Sequence, residues 1–381
     1  MRIAFYAPLK PPDHPVPSGD RRMAQLLMTA LAARGHAVHL AARLRSRDGD
    51  GDPRRQQRLA ALGAWLARRL AARYAAAAPQ ERPQAWLTYH LYYKAPDWIG
   101  PAVAGALAIP YVVVEASLAA KRAAGPWQTG HAAVRAALDR AAAVVSFHAR
   151  DEAALRGAIA QPSRLHRLRP FLDTAPLAAA AAGRAATRAA LAAELDLDPE
   201  TPWLLAVGMM RSGDKLASYR LLAAALGRLA SRPWTLLVAG DGEARAAIED
   251  GFAPLAERVR LLGACAPGRL ARLYAASDLF VWPAVNEAWG MALLEAHAAG
   301  LPAVAGDSGG VGEILRHGRT GWLVAVGDAD AFAVAVAAAL DDPEERRRRG
   351  AAAATLAAAE HGLAAAGTAL ERILSQARPV P

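Results

Sequence analysis

The stretch from Pro283 to Glu313, PAVNEAWGMALLEAHAAGLPAVAGDSGGVGE, decides the fold. The apolar run Leu279-Phe280-Val281-Trp282 leads into it and reads as a short buried strand stopped by Pro283. Asn286 and Glu287 stand where a helix is expected to open, and Ala288 to Ala299 carries Met291, Leu294 and Ala298 at core spacing. Gly300 suits the end of that helix, and Pro302 bars its continuation. Ala303-Val304-Ala305 reads as a second strand, followed by the glycine loop Ser308-Gly309-Gly310 and a helix opening at Val311. Strand, acidic loop, helix, strand, glycine loop and helix, in that order, belong to an open α/β sheet. Such sheets bind ligands at strand ends beside helix N-termini, whose unpaired N–H groups suit a diphosphate. Glu287 and Glu295 would lie about 12 Å apart along one helix. Carboxylates at both ends and amides between them match a nucleotide sugar, with hydroxyl-rich rings on both sides of its pyrophosphate. Taken singly, Glu287 also fits an ordinary acid at a helix start, and Glu295 a solvated helix residue. Glu295 is flanked by Leu294 and Ala296, and a carboxylate beside a buried stretch needs partners.

Glu287, seven residues, Glu295, and then GLPAVAGDSGGVGEIL together resemble the glutamate-pair motif of the retaining glycosyltransferase family 4, with Trp289 in the usual Phe or Tyr place. The resemblance implies two Rossmann-like domains facing a central cleft, the glycosyltransferase B-type fold. It implies a nucleoside-diphosphate sugar as donor substrate, transfer with retention, and neither metal nor cofactor. Glu287 would hold sugar hydroxyls with Ala288, Trp289, Gly290 and Met291 around it. Glu295 would accept from the ribose hydroxyls. The amides of Gly309 and Gly310 would face the diphosphate. In the loop after Trp203–Gly208, a buried strand, the family carries an Arg and a Lys that reach the diphosphate. Arg211 and Lys215 match, with spacing that departs by a residue or two. Cations there neutralise charge on the leaving group. Lys215 is one of four lysines in an arginine-dominated chain, and a compact ammonium suits phosphate.

Composition agrees with two domains. The chain has 381 residues, 54% of them hydrophobic. One cysteine, Cys265, leaves no intramolecular disulfide and reads as a small packed residue. No apolar run is long enough for a spanning helix, and MRIAFYAP has no signal-peptide pattern. A cytoplasmic protein, with peripheral attachment to the inner face of the cell membrane, fits these features. The net charge of +10 favours anionic partners, but the arginines are spread out and no nucleic-acid-binding motif is visible. The resemblance implies a sugar or lipid-linked acceptor, and a place in polysaccharide assembly.

Toward the N-terminus, residues 2–7 read as a strand, Arg21–Arg34 as a helix and His36–Ala41 as a second strand, without the G-x-G-x-x-G of dinucleotide enzymes. The resemblance places Gly19, in Ser18-Gly19-Asp20-Arg21, near the donor phosphate. Asp48-Gly49-Asp50-Gly51-Asp52 reads as a solvated turn rather than a metal loop, because Pro53 stands where a calcium loop's turn glycine belongs. Residues 54–78 form an arginine-rich helix with Leu59, Leu62, Trp65, Leu66 and Leu70 recurring at three and four. Packing through that stripe and lying on an anionic membrane are both open. Strands are expected at Ala85–His90, at Tyr111–Val114 and at Ala142–Phe147 ending at His148. Glu115 stands near the place where many family members carry a histidine. Glu115, His90 and Lys121 are therefore the polar candidates of this half. The domains are expected at 1–175 and 176–360, with a C-terminal helix over 361–381 returning to the first. Other readings are an epimerase on the same fold and a non-catalytic nucleotide-sugar-binding scaffold.

Overall fold

Short Val-, Leu- and Ala-rich runs alternating with amphipathic helices produce two parallel six-stranded sheets. The computed structural model describes every residue except Pro17, His148, Ala160 and Pro381, and leaves out the side chains of Ala149, Arg150 and Asp151. The strand end expected at His148 lies outside the described residues. The chain divides into two units, Met1–Arg169 with Leu363–Pro381, and Pro170–Gly362.

The first unit runs β1 (Arg2–Tyr6), α1 (Gly19–Ala32), β2 (Ala37–Leu40), α2 (Pro53–Ala76), β3 (Ala85–Leu91), α3 (Gly100–Leu107), β4 (Tyr111–Ala116), α4 (Gln128–Asp139), β5 (Ala143–Ser146), α5 (Ala149–Arg156) and β6 (Leu165–Arg167). Its sheet order is β2-β1-β3-β4-β5-β6, and every neighbouring pair is parallel. Strands covered on both faces must be apolar throughout, and Ile3, Phe5, Trp86, Leu87, Val113 and Val144 are completely buried. Asp48 is also buried, accepting from Gln56 Nε2 at 2.9 Å, and Asp52 caps α2. The acidic turn expected to be solvated is thus partly an internal polar anchor, because the Gln56 amide reaches it from the first turns of α2.

The second unit runs α6 (Ala175–Ala182), α7 (Arg184–Leu195), β7 (Trp203–Val207), α8 (Asp214–Gly227), β8 (Thr235–Ala239), α9 (Arg245–Phe252), β9 (Val259–Leu261), α10 (Pro267–Ala276), β10 (Leu279–Trp282), α11 (Met291–Ala298), β11 (Ala303–Gly306), α12 (Val311–Ile314), β12 (Gly321–Val324), α13 (Ala329–Asp341) and α14 (Pro343–His361). The sheet order is β12-β11-β10-β7-β8-β9. Counted within the unit this is the 3-2-1-4-5-6 order of doubly wound folds, and it reverses between β7 and β10. The last helix, α15 (Leu363–Gln376), packs on α1 in the first unit, where Arg34 Nη2 and Glu371 Oε2 stand 2.6 Å apart.

One expectation fails in the decisive stretch. The helix begins at Met291, not at Ala288, and Asn286 and Glu287 lie in a loop. Ala284 and Asn286 have φ values of +55° and +50°, which a helix start does not permit. Glu287 and Glu295 therefore do not share a helix, and the 12 Å estimate does not apply. Helix α12 has one turn only.

Candidate functional site

In an open α/β sheet, loops leaving adjacent strands in opposite directions open a crevice where the order reverses. Here those loops follow β7 and β10. The first leads into α8, whose opening residues Asp214, Lys215 and Ser218 hold the second loop. Ser218 Oγ accepts from Val285 N at 3.0 Å, and Asp214 Oδ2 accepts from Asn286 Nδ2 at 2.8 Å. Lys215 Nζ donates to Glu287 Oε2 at 2.5 Å. Residues 214 and 218 are one turn apart on a helix and 215 is beside them, so one face clasps three consecutive loop residues.

Glu287 Oε2 also accepts from the indole N–H of Trp282 at 2.9 Å. The Lys215 ammonium lies 5.1 Å from the Trp282 ring centroid, close enough for a cation–π contact. Tyr219 packs edge-on against Trp282 and donates its hydroxyl to Gly208 O at 2.8 Å. Both charged side chains are largely covered, 28% exposed for Lys215 and 15% for Glu287.

The other wall of this loop is the glycine loop after β11. Ser308 Oγ accepts from Glu287 N at 3.1 Å, and Gly310 N donates to Ala288 O at 2.9 Å. A Cβ on Gly309 would stand 2.1 Å from Glu287 O, and one on Gly310 would stand 2.7 Å from Ala288 O. Gly309 also has φ +53°, a conformation few other residues adopt at low cost. These glycines let two loops touch backbone to backbone. The Gly310 amide, expected to face a diphosphate, is taken by Ala288.

A cavity of about 600 Å³ opens beside the clasp, in the size range of ligand pockets. Lys215, Glu287, Ala288, Trp289, Gly290 and Met291 line it. Arg211 is exposed on the loop before α8 and is not in the lining. Glu295 is half-buried in α11 and accepts from the Tyr274 hydroxyl at 3.0 Å, the partner its position demanded. Gly19 lies in the first unit, at the start of α1, with Ser18 as the cap. Cys265 is packed, partly buried, against the core as expected and also lines the cavity, and burial raises its thiol pKa.

Sequence reasoning missed Trp282, Ser218, Asp214, Tyr274 and Ser308. Trp282 carried a signal: an aromatic with an N–H donor at a strand end, immediately before a proline. The serines and Asp214 carried none, since their roles exist only once the loops are folded together.

In the first unit the order reverses between β1 and β3, and His90 Nδ1 meets Asp20 Oδ1 there at 2.9 Å. That hydrogen bond holds the Asp20 carboxyl below its ordinary pKa. His90 and Glu115 have φ values of +61° and +62° and lie opposite each other, between the register pairs Tyr89↔Val114 and Leu91↔Ala116. Lys121 is exposed in the turn Ala120–Arg122.

Solved structures share this architecture over nearly the whole chain. The glycosyltransferase from Rickettsia africae ESF-5 aligns with a TM-score of 0.75 at 14% identity, covering 98% of each chain. Anabaena Alr3699/HepE, in complex with UDP and glucose, gives 0.69 at 16%, covering 98% of this chain and 99% of that one. The fold is therefore the B-type glycosyltransferase fold, with two Rossmann-like domains. At the level of sequence, residues 201–342, all in the second unit, match the family described as Glycosyl transferases group 1. The D-inositol 3-phosphate glycosyltransferase of Rhodococcus jostii (strain RHA1) is 34% identical over 175 residues, 43% of this chain and 37% of the relative. The enzyme of that name from Thermobispora bispora is 36% identical over 171 residues, 42% of this chain and 40% of the relative. The chain thus spans about two fifths of the length of the curated relatives it matches.

Proposed function

We propose that the chain is a glycosyltransferase that moves a sugar from a nucleoside-diphosphate sugar to a glycan, lipid-linked or small-molecule acceptor. The observation that carries this reading is the Lys215–Glu287 pair at the β7/β10 switch point, beside a cavity of about 600 Å³. The names of the relatives and the UDP and glucose bound by HepE support it.

The pair defines a division of labour. A diphosphate entering beside α8 competes with Glu287 for the Lys215 ammonium, and the cation then offsets charge developing on the leaving group. Arg211, on the same loop, supplies further positive charge as the diphosphate approaches. Glu287, released from Lys215, keeps the Trp282 indole N–H as its positional anchor and accepts from sugar hydroxyls. Glu295, steadied by Tyr274, accepts from the ribose. Gly309 and Gly310 act by holding the backbone of 287–289. The reading includes retention of anomeric configuration, hexosyl transfer without metal or cofactor, family 4 membership, and a cytoplasmic role in polysaccharide assembly.

Two measurements test it. Thermal shift against UDP, GDP, ADP, TDP and CDP should show stabilisation by one nucleotide, and labelled sugar from the matching donor should appear in an acceptor. No stabilisation by any diphosphate, or binding without transfer to any acceptor tried, would overturn the enzymatic reading.

A further inference from the structure

Helix α2 packs in a way its sequence does not announce. The buried positions are Gln56, Gly63, Ala67, Leu70 and Tyr74, which recur at helical spacing and define one face. Gly63 sits so close to Trp98 that a Cβ there would stand 2.2 Å from the Trp98 Cβ, so the helix approaches α3 through its smallest residue. Leu62 and Trp65, part of the apolar stripe for which packing and membrane contact were both open, lie off that face and are 43% and 46% exposed. At about 100° per residue, Trp65 lies nearly opposite Gly63 and Ala67. It is the centre of the outward face.

The rest of that face is cationic. Arg54, Arg55, Arg58, Arg68, Arg69 and Arg73 are all exposed, and Pro53–Ala76 contains no acidic residue. Among the described residues, none of these six arginines makes an ion pair. The Arg69 guanidinium lies 5.3 Å from the centroid of the Trp65 ring. A 24-residue helix of this kind spans about 36 Å. Packing does not explain an exposed Trp and Leu among six exposed arginines. Interfacial helices combine these features: cations meet lipid phosphates while an amphipathic aromatic and a neighbouring aliphatic enter the headgroup boundary.

We infer that the outward face of α2 docks the protein on an anionic lipid bilayer, with Trp65 and Leu62 inserted at the headgroup level and the six arginines around them on lipid phosphates. No helix among the described residues is long and apolar enough to cross a membrane, so the contact is with one leaflet surface. Soluble polyanions share the charge chemistry but offer nothing to Trp65 and Leu62, which is why the bilayer is the occupant the face fits. The inference does not rest on glycosyl transfer, and is tested without donor.

The experiment is flotation of the purified full chain with vesicles of phosphatidylcholine alone and of phosphatidylcholine with 30% phosphatidylglycerol, at low and at high salt. Binding is expected only to the anionic vesicles, weakened by salt. Arg58→Glu with Arg69→Glu should weaken it by more than about 30-fold, from the usual contribution of each basic residue near such a surface. Trp65→Ala with Leu62→Ala should weaken it by about tenfold or more, while leaving binding to heparin unchanged. All these positions are exposed, and unchanged melting temperatures and circular dichroism would show that the variants are folded. Equal binding to neutral vesicles overturns the inference. So does vesicle binding that survives both variants, or heparin binding with no vesicle binding.

Discussion

Both units place a polar pair where their strand order reverses, and the two pairs are held differently. In the second unit Lys215 and Glu287 meet on loops fixed from both sides, by the first turn of α8 and by glycine-mediated backbone contact with the loop after β11. In the first unit Asp20 and His90 meet where His90 itself carries the left-handed backbone, opposite a second left-handed residue, Glu115. Both switch points carry left-handed non-glycine residues, Ala284 and Asn286 in the second unit and His90 and Glu115 in the first, at roughly 1 kcal/mol or more each. The second differs in that Gly309, also left-handed, lets a neighbouring loop press against it backbone to backbone at little cost. Strain of this kind persists only where surrounding structure enforces it.

The comparison fails first if the second pair is ornamental. Glu287→Ala should lower sugar transfer by at least about 100-fold, as expected for a group that acts on the reacting sugar, while changing free-nucleotide affinity only a few-fold. Radiolabelled transfer and calorimetric titration on one preparation measure the two effects. Equal losses in both would make Glu287 a binding residue only.

The glycines give the next largest effect. Gly309→Ala adds a methyl 2.1 Å from Glu287 O at φ +53°, and should cost about 2 kcal/mol or more in urea denaturation. Gly19→Ala, where an added Cβ meets nothing within 4 Å, should change stability by less than about 0.5 kcal/mol. Both were singled out in the sequence as donor-binding glycines, and this experiment separates a glycine that the fold requires from one that it does not.

That separation shows what was legible in the chain. The alternation of strands and helices, the strand Leu279–Trp282 and a helix opening at Val311 all follow from apolar runs and their breakers, while the single-turn length of that helix does not. The Lys215–Glu287 candidates came from a motif resemblance, and the structure brings them together. The loop before α11 was misread because nothing in Ala284-Val285-Asn286 marks positive φ in an alanine; its conformation is imposed by bonds to Ser218 and Asp214, more than sixty residues away in sequence. For α2, spacing identified a helix but not which face is buried, because Gly63 and Ala67 bury a face by allowing close approach rather than by being large.

The helix after the Glu287 loop supplies a third test. His297, on α11, is 1% exposed, and burial, with a smaller contribution from His361, pushes its pKa down to about 3. Between that value and the ordinary 6.5, the unfolded chain holds a proton there that the folded chain does not. Folding stability therefore falls as pH drops through this window and is unaffected above it. His297→Leu should flatten the decline in urea midpoint between pH 7 and pH 4.5. A wild-type slope unchanged by the substitution would assign the acid sensitivity to other groups.

The smallest effect belongs to the first switch point. Asp20 is 35% exposed and His90 23%, so their pairing is partly screened and worth at most about 1 kcal/mol. Because the hydrogen bond from His90 lowers the Asp20 pKa, this contribution is present above the ordinary carboxylate pKa and lost as pH falls through the lowered value. Asp20→Asn should thus destabilise slightly at neutral pH and not at all in strong acid. The backbone of His90 offers the matching control. His90→Gly removes the same hydrogen bond but relieves the left-handed strain at φ +61°, so its net cost should be smaller than that of Asp20→Asn despite the larger deletion. If His90→Gly is instead the more damaging change, the His90 ring contributes more by packing against Tyr89 and Tyr92, 5.8 and 5.1 Å away, than its strained backbone costs. The first switch point would then resemble the second in being held by its side chains.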